Sequence, residues 1–408
     1  MPEMIAVERA LALVLEAAQP LPAIAVDLDE AAGRILLEEI RADRDQPAWD
    51  KALMDGFAVM AAGVTDGRDL LVASTIAAGA DPATLNPLRP GETARIMTGA
   101  PLPPGADAVV PVEQSHEGAA TDRVRFEGAV RPGDHLARRG DDVRAGTTLL
   151  DRGDLLGPAE IGTLAACGRT RVQVGARPRV SILATGDELV PADRTPGDGR
   201  LRNSNGPMLR ALARRAGAEA RDLGIARDDP QALREAIESG LDADALVLSG
   251  GVSMGLYDLV GGVLREAGAE ILFERVAIRP GKPFTFARRG ATLVFGCPGN
   301  PVSSYVIFQL FVRPALRRLA SHPRPEWEAV PARLAAKVRQ RPGREGYAQV
   351  RARFKDGRVE ADPVPTTGSA DLVACARGNA LAVLAEGVAE FPAGSEVPVI
   401  LLDDHADR

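Results

Sequence analysis

Residues 179–185 read RVSILAT and residues 244–250 read DALVLSG. Both runs are apolar on consecutive positions, so neither has the wetted face that an exposed strand would show. Working outward, PMLRALARRAG (207–217), EARDLGI (219–225) and DDPQALREAIES (228–239) lie between them, alternating helix and strand signals. Asn205 and Pro207 are placed to cap and start the first helix, and two acids with a proline open the second. DLVGGVLREAG (258–268), EILFERVAI (270–278), PFTFARR (283–289), ATLVFG (291–296) and the long apolar PVSSYVIFQLFVRPALRRLA (301–320) continue the pattern. Buried strands alternating with helices of this length predict a doubly wound α/β domain with a parallel sheet covered on both faces.

In such a sheet, ligands bind beyond the carboxyl ends of the strands, near the point where strand order reverses. Those ends carry Thr185-Gly186-Asp187-Glu188, then Arg227-Asp228-Asp229, then Ser249-Gly250-Gly251-Val252-Ser253-Met254-Gly255 with Asp258 after it. Arg279-Pro280-Gly281-Lys282-Pro283 and Gly296-Cys297-Pro298-Gly299-Asn300-Pro301, followed by Ser303 and Ser304, complete the set. All five ends are expected on one edge. Small-residue turns and helix starts suit an oxyanion, and Arg279 and Lys282 add positive charge. The carboxylates Asp187, Glu188, Asp228 and Asp258 would repel an anionic ligand unless a cation lay between them, and a hard divalent ion, Mg²⁺, resolves the conflict.

Each feature also has a plainer reading. Asp-Asp-Pro at a helix start serves as a cap, Gly-Gly-Val-Ser-Met-Gly as a tight turn, and Arg279 with Lys282 as a solvated loop; their coincidence at one sheet edge favours a site. Cys297 reads as a small buried hydrophobe rather than a nucleophile, since no histidine is near it in sequence. Neither G-x-G-x-x-G after the first strand nor G-x-x-x-x-G-K-[ST] occurs, which excludes the dinucleotide fingerprint and the Walker A loop.

The flanks differ in texture. Helical spacing runs from Ile5 to Ala18, and DEAAGRILLEEIRA (29–42) predicts a second helix. Residues 46–144 break into short β-prone pieces, and a helix is expected over 154–166, so the β module reads as inserted into a split, largely helical domain. Within the module, Asp55 stands in MDGFAV (54–59), Thr98 in RIMTGA (95–100) and Asp142 in RRGDD (138–142), in turn-rich surroundings that suit one wall of a cleft between domains or subunits. After about residue 326 the β texture returns, with Asp356-Gly357 marking a hairpin.

The 408 residues carry 49 basic and 56 acidic side chains, for a formal charge of −7, and no long like-charge run, which argues against a broad nucleic-acid or membrane surface. Forty-two glycines and 31 prolines spread through the chain mark many tight turns in a folded protein. Three separated cysteines and four scattered histidines offer no zinc-ligand spacing. Glu3, Glu8 and Arg9 interrupt the opening residues where a signal peptide needs a clean apolar run, so a cytoplasmic compartment is expected.

These strings together resemble the molybdopterin molybdenumtransferase (MoeA-type) family, related to the C-terminal part of gephyrin. The resemblance is carried by MDGFAV, RIMTGAPLPPGADAVV (95–110), RRGDD, ATGDEL (184–189), NSN (203–205), RDDP (227–230), SGGVSMG with Asp258, RPGKP (279–283) and GCPGNPVSS (296–304). The first three are absent from the related single-domain adenylyltransferases. The resemblance implies a split N-terminal domain (1–45 plus 145–176), an inserted β domain (46–144), a MogA/MoaB-like α/β domain (177–325) and a C-terminal β barrel (326–408). It implies a homodimer in which one subunit's inserted domain faces the other's α/β site, with a molybdopterin adenylyltransferase and molybdoenzyme chaperones as further partners.

The implied reaction inserts molybdate into the dithiolene of adenylylated molybdopterin, with Mg²⁺-dependent release of AMP. Carried onto this chain, the catalytic residues are Asp55, Asp142, Glu188, Asp228 and Asp258, and the Mg²⁺ ligands Asp187, Glu188, Asp228 and Asp258. The substrate pocket takes Thr98, Thr185, Gly186, Gly250, Gly251, Ser253, Arg279, Lys282, Pro298, Gly299, Asn300, Pro301 and Ser303. Two positions depart from the family's pattern: Arg279 stands where lysine is common, and Ala137 precedes two arginines where some members have three. Adenylylation of molybdopterin and a non-catalytic scaffold are the alternative readings.

Overall fold

The computed structural model describes residues 4–65, 67–251 and 259–402, and divides them into two units. One unit is built from residues 27–30 and 38–172, the other from 1–26, 31–37 and 173–408. Helix α1 (Val7–Ala17) forms where the apolar spacing placed it, burying Ala10 and Val14.

The expected helix over 29–42 does not form. A four-residue turn of helix, Leu28–Ala31, stops before Gly33, whose φ of 76° is left-handed. Ile35 and Leu36 are buried as extended chain instead: Gly175 N–H donates to the Ile35 carbonyl at 2.9 Å, and Leu36 pairs with Val174. The apolar positions that mimic a helical face are thus consumed by strand-like pairing. Helix α2 (Pro158–Ala166) also begins four residues later than expected, on Pro158.

In the unit of residues 38–172, a six-stranded sheet runs in the order β4-β1-β3-β2-β6-β5, with β1 Gly56–Val59, β2 Asp69–Ile76, β3 Glu92–Ile96, β4 Ala108–Pro111, β5 Ser115–Glu117 and β6 Arg123–Phe126. Chain entry and exit are pinned together, since Ile40–Arg41 pairs with Thr148–Leu150 and Gln46 bridges Val143. That is the geometry of an inserted module. Phe57 and Phe126 meet at 5.5 Å in its core, each buried ring contributing about 1.5–3 kcal/mol.

The other unit contains a second six-stranded sheet, ordered β8-β7-β9-β13-β12-β10. Its strands are β7 Arg179–Thr185, β8 Glu219–Ala226, β9 Ala245–Ser249, β10 Glu270–Arg275, β12 Pro283–Arg289 and β13 Thr292–Cys297; β11, Ile278–Arg279, leaves it for the C-terminal sheet. Successive residues of β7 enter opposite cores: Ile182 joins α1, α3 (Asn205–Arg215) and α6 (Pro301–Ile307), while Leu183 joins α4 (Pro230–Gly240) and α5 (Val260–Glu266). Both faces are covered, as the unbroken apolar runs require.

Strands β8, β7, β9 and β13 are parallel, but β12 is antiparallel to both its neighbours. The all-parallel expectation fails there because only Gly290 and Ala291 separate β12 from β13, too few residues for a crossover. Two reversals restore β10 to the direction of β13. The ends of β7, β8, β9, β10 and β13 therefore share one rim, roughly 24 Å wide at ~4.8 Å per strand. Strand order reverses between β7 and β9.

Beyond residue 326, β14 (Ala329–Leu334), β15 (Glu345–Lys355), β16 (Arg358–Pro363), β17 (Ala380–Leu384) and β18 (Glu396–Leu401) close into a five-stranded barrel through the β15–β17 pairing. Asp356 and Gly357, at φ 49° and 75°, make the hairpin turn read from the sequence.

Candidate active site

The reversal point collects the polar residues. Thr185 ends β7 and is 3% exposed, and among the described residues its hydroxyl has no hydrogen-bond partner. Gly250, at φ 101°, follows β9 and lies so close that a Cβ on it would stand 2.4 Å from the Thr185 carbonyl oxygen. Only glycine allows that approach. Asn205 enters from the first turn of α3: its Nδ2 donates to Ser249 Oγ at 2.7 Å and to the Gly299 carbonyl at 2.8 Å. The capping expected of Asn205 falls instead to Asn203, whose Oδ1 accepts from Gly206 N–H at 2.9 Å.

The neighbouring acids separate by role. Asp229 caps α4, accepting from the N–H groups of Gln231 and Ala232 at 3.1 and 2.9 Å. Asp228 turns the other way and accepts from Asp187 N–H at 3.3 Å. Glu188 folds back over Gly186, so a Cβ there would lie 2.6 Å from its carboxylate. Asp187 and Asp228 also line a cleft of about 1060 Å³ that continues past Arg200, Arg210 and Arg227. Among the described residues no three acidic, histidine or cysteine side chains are grouped closely enough to hold a metal. Asp258 and Ser253 lie outside the described residues.

Backbone donors at this rim are fewer than the turn sequences suggested. Gly250 N–H donates to the Cys297 carbonyl at 3.1 Å, and Val302 N–H, at the start of α6, to the Ser369 carbonyl at 3.1 Å. Ser304 Oγ donates to the Pro298 carbonyl. Among the described residues, Gly251, Gly299, Asn300 and Ser303 remain as the N–H donors of these turns. Pro298 is buried, while Gly299 and Asn300 are exposed and Pro301 is half-buried. Cys297 is wholly buried, which pushes its thiol up, as its reading as a core residue requires.

Arg279 differs from expectation. It sits in β11, paired with β15 of the barrel sheet, and its Nη1 donates to the Arg341 carbonyl at 2.7 Å, leaving less of the guanidinium for bidentate work. Lys282 is exposed at the same rim. Arg344, which the sequence reading missed, donates to the Ile278 carbonyl at 3.1 Å, and desolvation with the nearby Arg279 charge lowers its pKa. Its approach depends on barrel closure, and no local signal announced it.

On the inserted module, Asp55 and Thr98 are brought together. One carboxylate oxygen of Asp55 accepts from both the N–H and the hydroxyl of Thr98 at 2.7 Å, and these bonds hold its carboxyl below the ordinary range. Asp142 is tied through its own N–H to the Gln46 carbonyl at 2.9 Å. The adjoining Arg139 bonds Asp45 at 2.6 Å through Nε and Asp50 at 2.8 Å through its N–H, which fixes the turn and leaves the Asp142 carboxylate exposed.

Comparison with known proteins agrees over the whole chain. Residues 5–168 match the MoeA N-terminal region (domains I and II), 181–318 the "Probable molybdopterin binding domain", and 331–402 the MoeA C-terminal region (domain IV). Molybdopterin molybdenumtransferase 1 of Mycobacterium tuberculosis is 36% identical, covering 94% of this chain and 95% of its own. The molybdopterin molybdenumtransferase of a Nostoc species is 37% identical over 92% and 88%. A solved structure of the molybdopterin biosynthesis MoeA protein from Pyrococcus horikoshii superposes with a TM-score of 0.82 at 30% identity, covering 98% of this chain and all of that one. With the reversal-point rim, the inserted module and the barrel all matched in order, the chain belongs to the MoeA-type molybdopterin molybdenumtransferase family.

Proposed function

We propose that this chain is a molybdopterin molybdenumtransferase that inserts molybdate into the dithiolene of adenylylated molybdopterin and releases AMP. The observation that carries the reading is the convergence of Thr185, Gly250, Gly251 and the Pro298–Pro301 turn at the strand-order reversal, with carboxylates at one end of the rim and cations at the other. The ends of β8 and β12 lie four strands apart, roughly 19 Å, which accommodates an extended, two-headed nucleotide. Mg²⁺ needs only one or two protein carboxylates beside substrate phosphates, and Asp187 and Asp228, linked through the Asp187 N–H, are the hard oxygen donors that would hold it beside the adenylyl phosphates. The ion would there offset charge developing on the phosphate oxygens.

The chain's own groups do the rest. Gly251, Asn300 and Ser303 offer donors to an oxyanion, and Lys282 with Arg279 and Arg344 makes the far end attractive to an anion such as molybdate. Asp55, held ionised by Thr98, and Asp142 suit orientation of the substrate from the inserted domain of a second subunit in a homodimer. The three free, buried cysteines suit a reducing, cytoplasmic compartment, and among the described residues no helix is long and apolar enough to cross a membrane.

The test is molybdate-dependent AMP release from preformed adenylylated molybdopterin with Mg²⁺. Absence of release, or accumulation of adenylylated molybdopterin from molybdopterin and ATP instead, overturns the reading.

A further inference from the structure

We propose that Asn205 is a positioning residue whose amide clamps the turn after β9 to the turn after β13 and so sets the spacing between two walls of the site. Asn205 is 7% exposed, and both Nδ2 hydrogens are used, one on Ser249 Oγ and one on the Gly299 carbonyl. A carbonyl oxygen has no hydrogen to give, so the nitrogen must face Gly299 and the orientation of the amide is fixed.

The clamp acts where the main chain stops holding the turns together. Gly250 N–H to the Cys297 carbonyl, at 3.1 Å, is the last backbone bond between them among the described residues. Beyond it come Pro298 and Pro301, which have no N–H to donate. Gly299 nevertheless stays close, its absent Cβ only 3.8 Å from Gly250 Cα. Among the described residues, the Asn205 side chain is the one that bonds to both turns.

The other end of the amide separates a site role from simple packing. Among the described residues, Asn205 Oδ1 is buried without a partner, as is the Thr185 hydroxyl at the end of the adjoining strand. A clamp serving stability alone would satisfy both ends, because an unpaired buried acceptor is costly. The free carbonyl is suited to a donor that arrives with the ligand, or to a water the ligand orders.

The test compares Asn205→Ala and Asn205→Asp with wild type in the full chain. The aspartate keeps the size but puts an oxygen against the Gly299 carbonyl. Both variants should remain folded by thermal melting, while amide exchange at Gly250, Gly251 and Asn300 accelerates at least about tenfold with the interior of β7 unchanged. In molybdate-dependent AMP release, kcat should fall at least about tenfold while KM changes less than about threefold. Ser249→Ala, which removes one leg, should shift both readouts in the same direction by less. Unchanged exchange at the turns overturns the clamp, and a kcat loss no larger than the loss of folded protein overturns its positioning role. The kinetic arm rests on the transferase reading; the exchange arm does not, so an inactive wild type would sink that reading and leave the clamp to be decided by exchange.

Discussion

The main-chain N–H of Asp187 donates to the carboxylate of Asp228 across 3.3 Å, linking the turn after β7 to the turn after β8. The next residue, Asp229, is spent on capping a helix. Two adjacent carboxylates with the same sequence signal therefore have separable roles.

Asp228→Ala should lower molybdate insertion at least about tenfold, equivalent to ~1.4 kcal/mol in the barrier, with little change in melting temperature. Asp229→Ala should do the reverse, losing about 1 kcal/mol of stability with the cap and keeping most of its turnover. Paired melting curves and AMP-release rates check this, and equal behaviour of the two variants would remove the distinction.

Gly250→Ala should be far more damaging than Gly299→Ala. At Gly250 an added methyl would meet the Thr185 carbonyl at 2.4 Å in a left-handed backbone, whereas at Gly299 the nearest atom is Gly250 Cα at 3.8 Å, an ordinary contact. The expected result is a lower unfolding midpoint for the first variant and a near-normal one for the second, read by urea titration.

His322 predicts a pH effect away from the site. Burial first, then the Arg317 and Arg313 charges, lower its pKa from 6.5 to about 4. Arg317 Nη2 lies 3.0 Å from His322 Nδ1, which must therefore be the unprotonated acceptor. Between pH 4 and 6.5 the unfolded chain binds more protons than the folded one, so this contribution to stability declines as pH falls from 6.5 towards 4. His322→Gln should flatten the slope of unfolding free energy over that interval; an unchanged slope would assign the acid sensitivity to other groups.

If Asp142 and Asp228 serve one site built from two subunits, mixing inactive Asp142→Ala and Asp228→Ala chains should restore part of the activity, since each mixed dimer then contains one site with both carboxylates. A verified mixed dimer without activity would place both residues in a single subunit's site.

What the sequence disclosed follows the range of the interactions involved. The sheet was legible because β7 and β9 each carry a run of consecutive apolar positions, and the hairpin at Asp356-Gly357 because two residues suffice to specify it. The helix expected over residues 29–42 was not, because Gly33 and the pairing of Ile35 and Leu36 with residues 174 and 175 override local spacing. At the site, strand-end position located Thr185, Asp228 and Gly250. It did not separate Asp228 from Asp229, or reveal that Asn205 reaches Ser249 and Gly299, since those facts depend on side-chain directions set by distant strands. Arg344 was silent for the same reason: the Ile278 carbonyl it reaches lies 66 positions away in sequence.

The two-residue strand β11 has a consequence for how this protein can be dismantled. Ile278–Arg279 hydrogen-bonds with β15 even though it is threaded between two strands of the α/β sheet, and Arg344 in turn grips the Ile278 carbonyl. Excising the α/β portion at residue 325 would strip the Arg279 side chain of its Arg341 acceptor and release the cationic end of the rim. Modularity in this chain is a property of its sequence boundaries, and the ligand edge does not respect them.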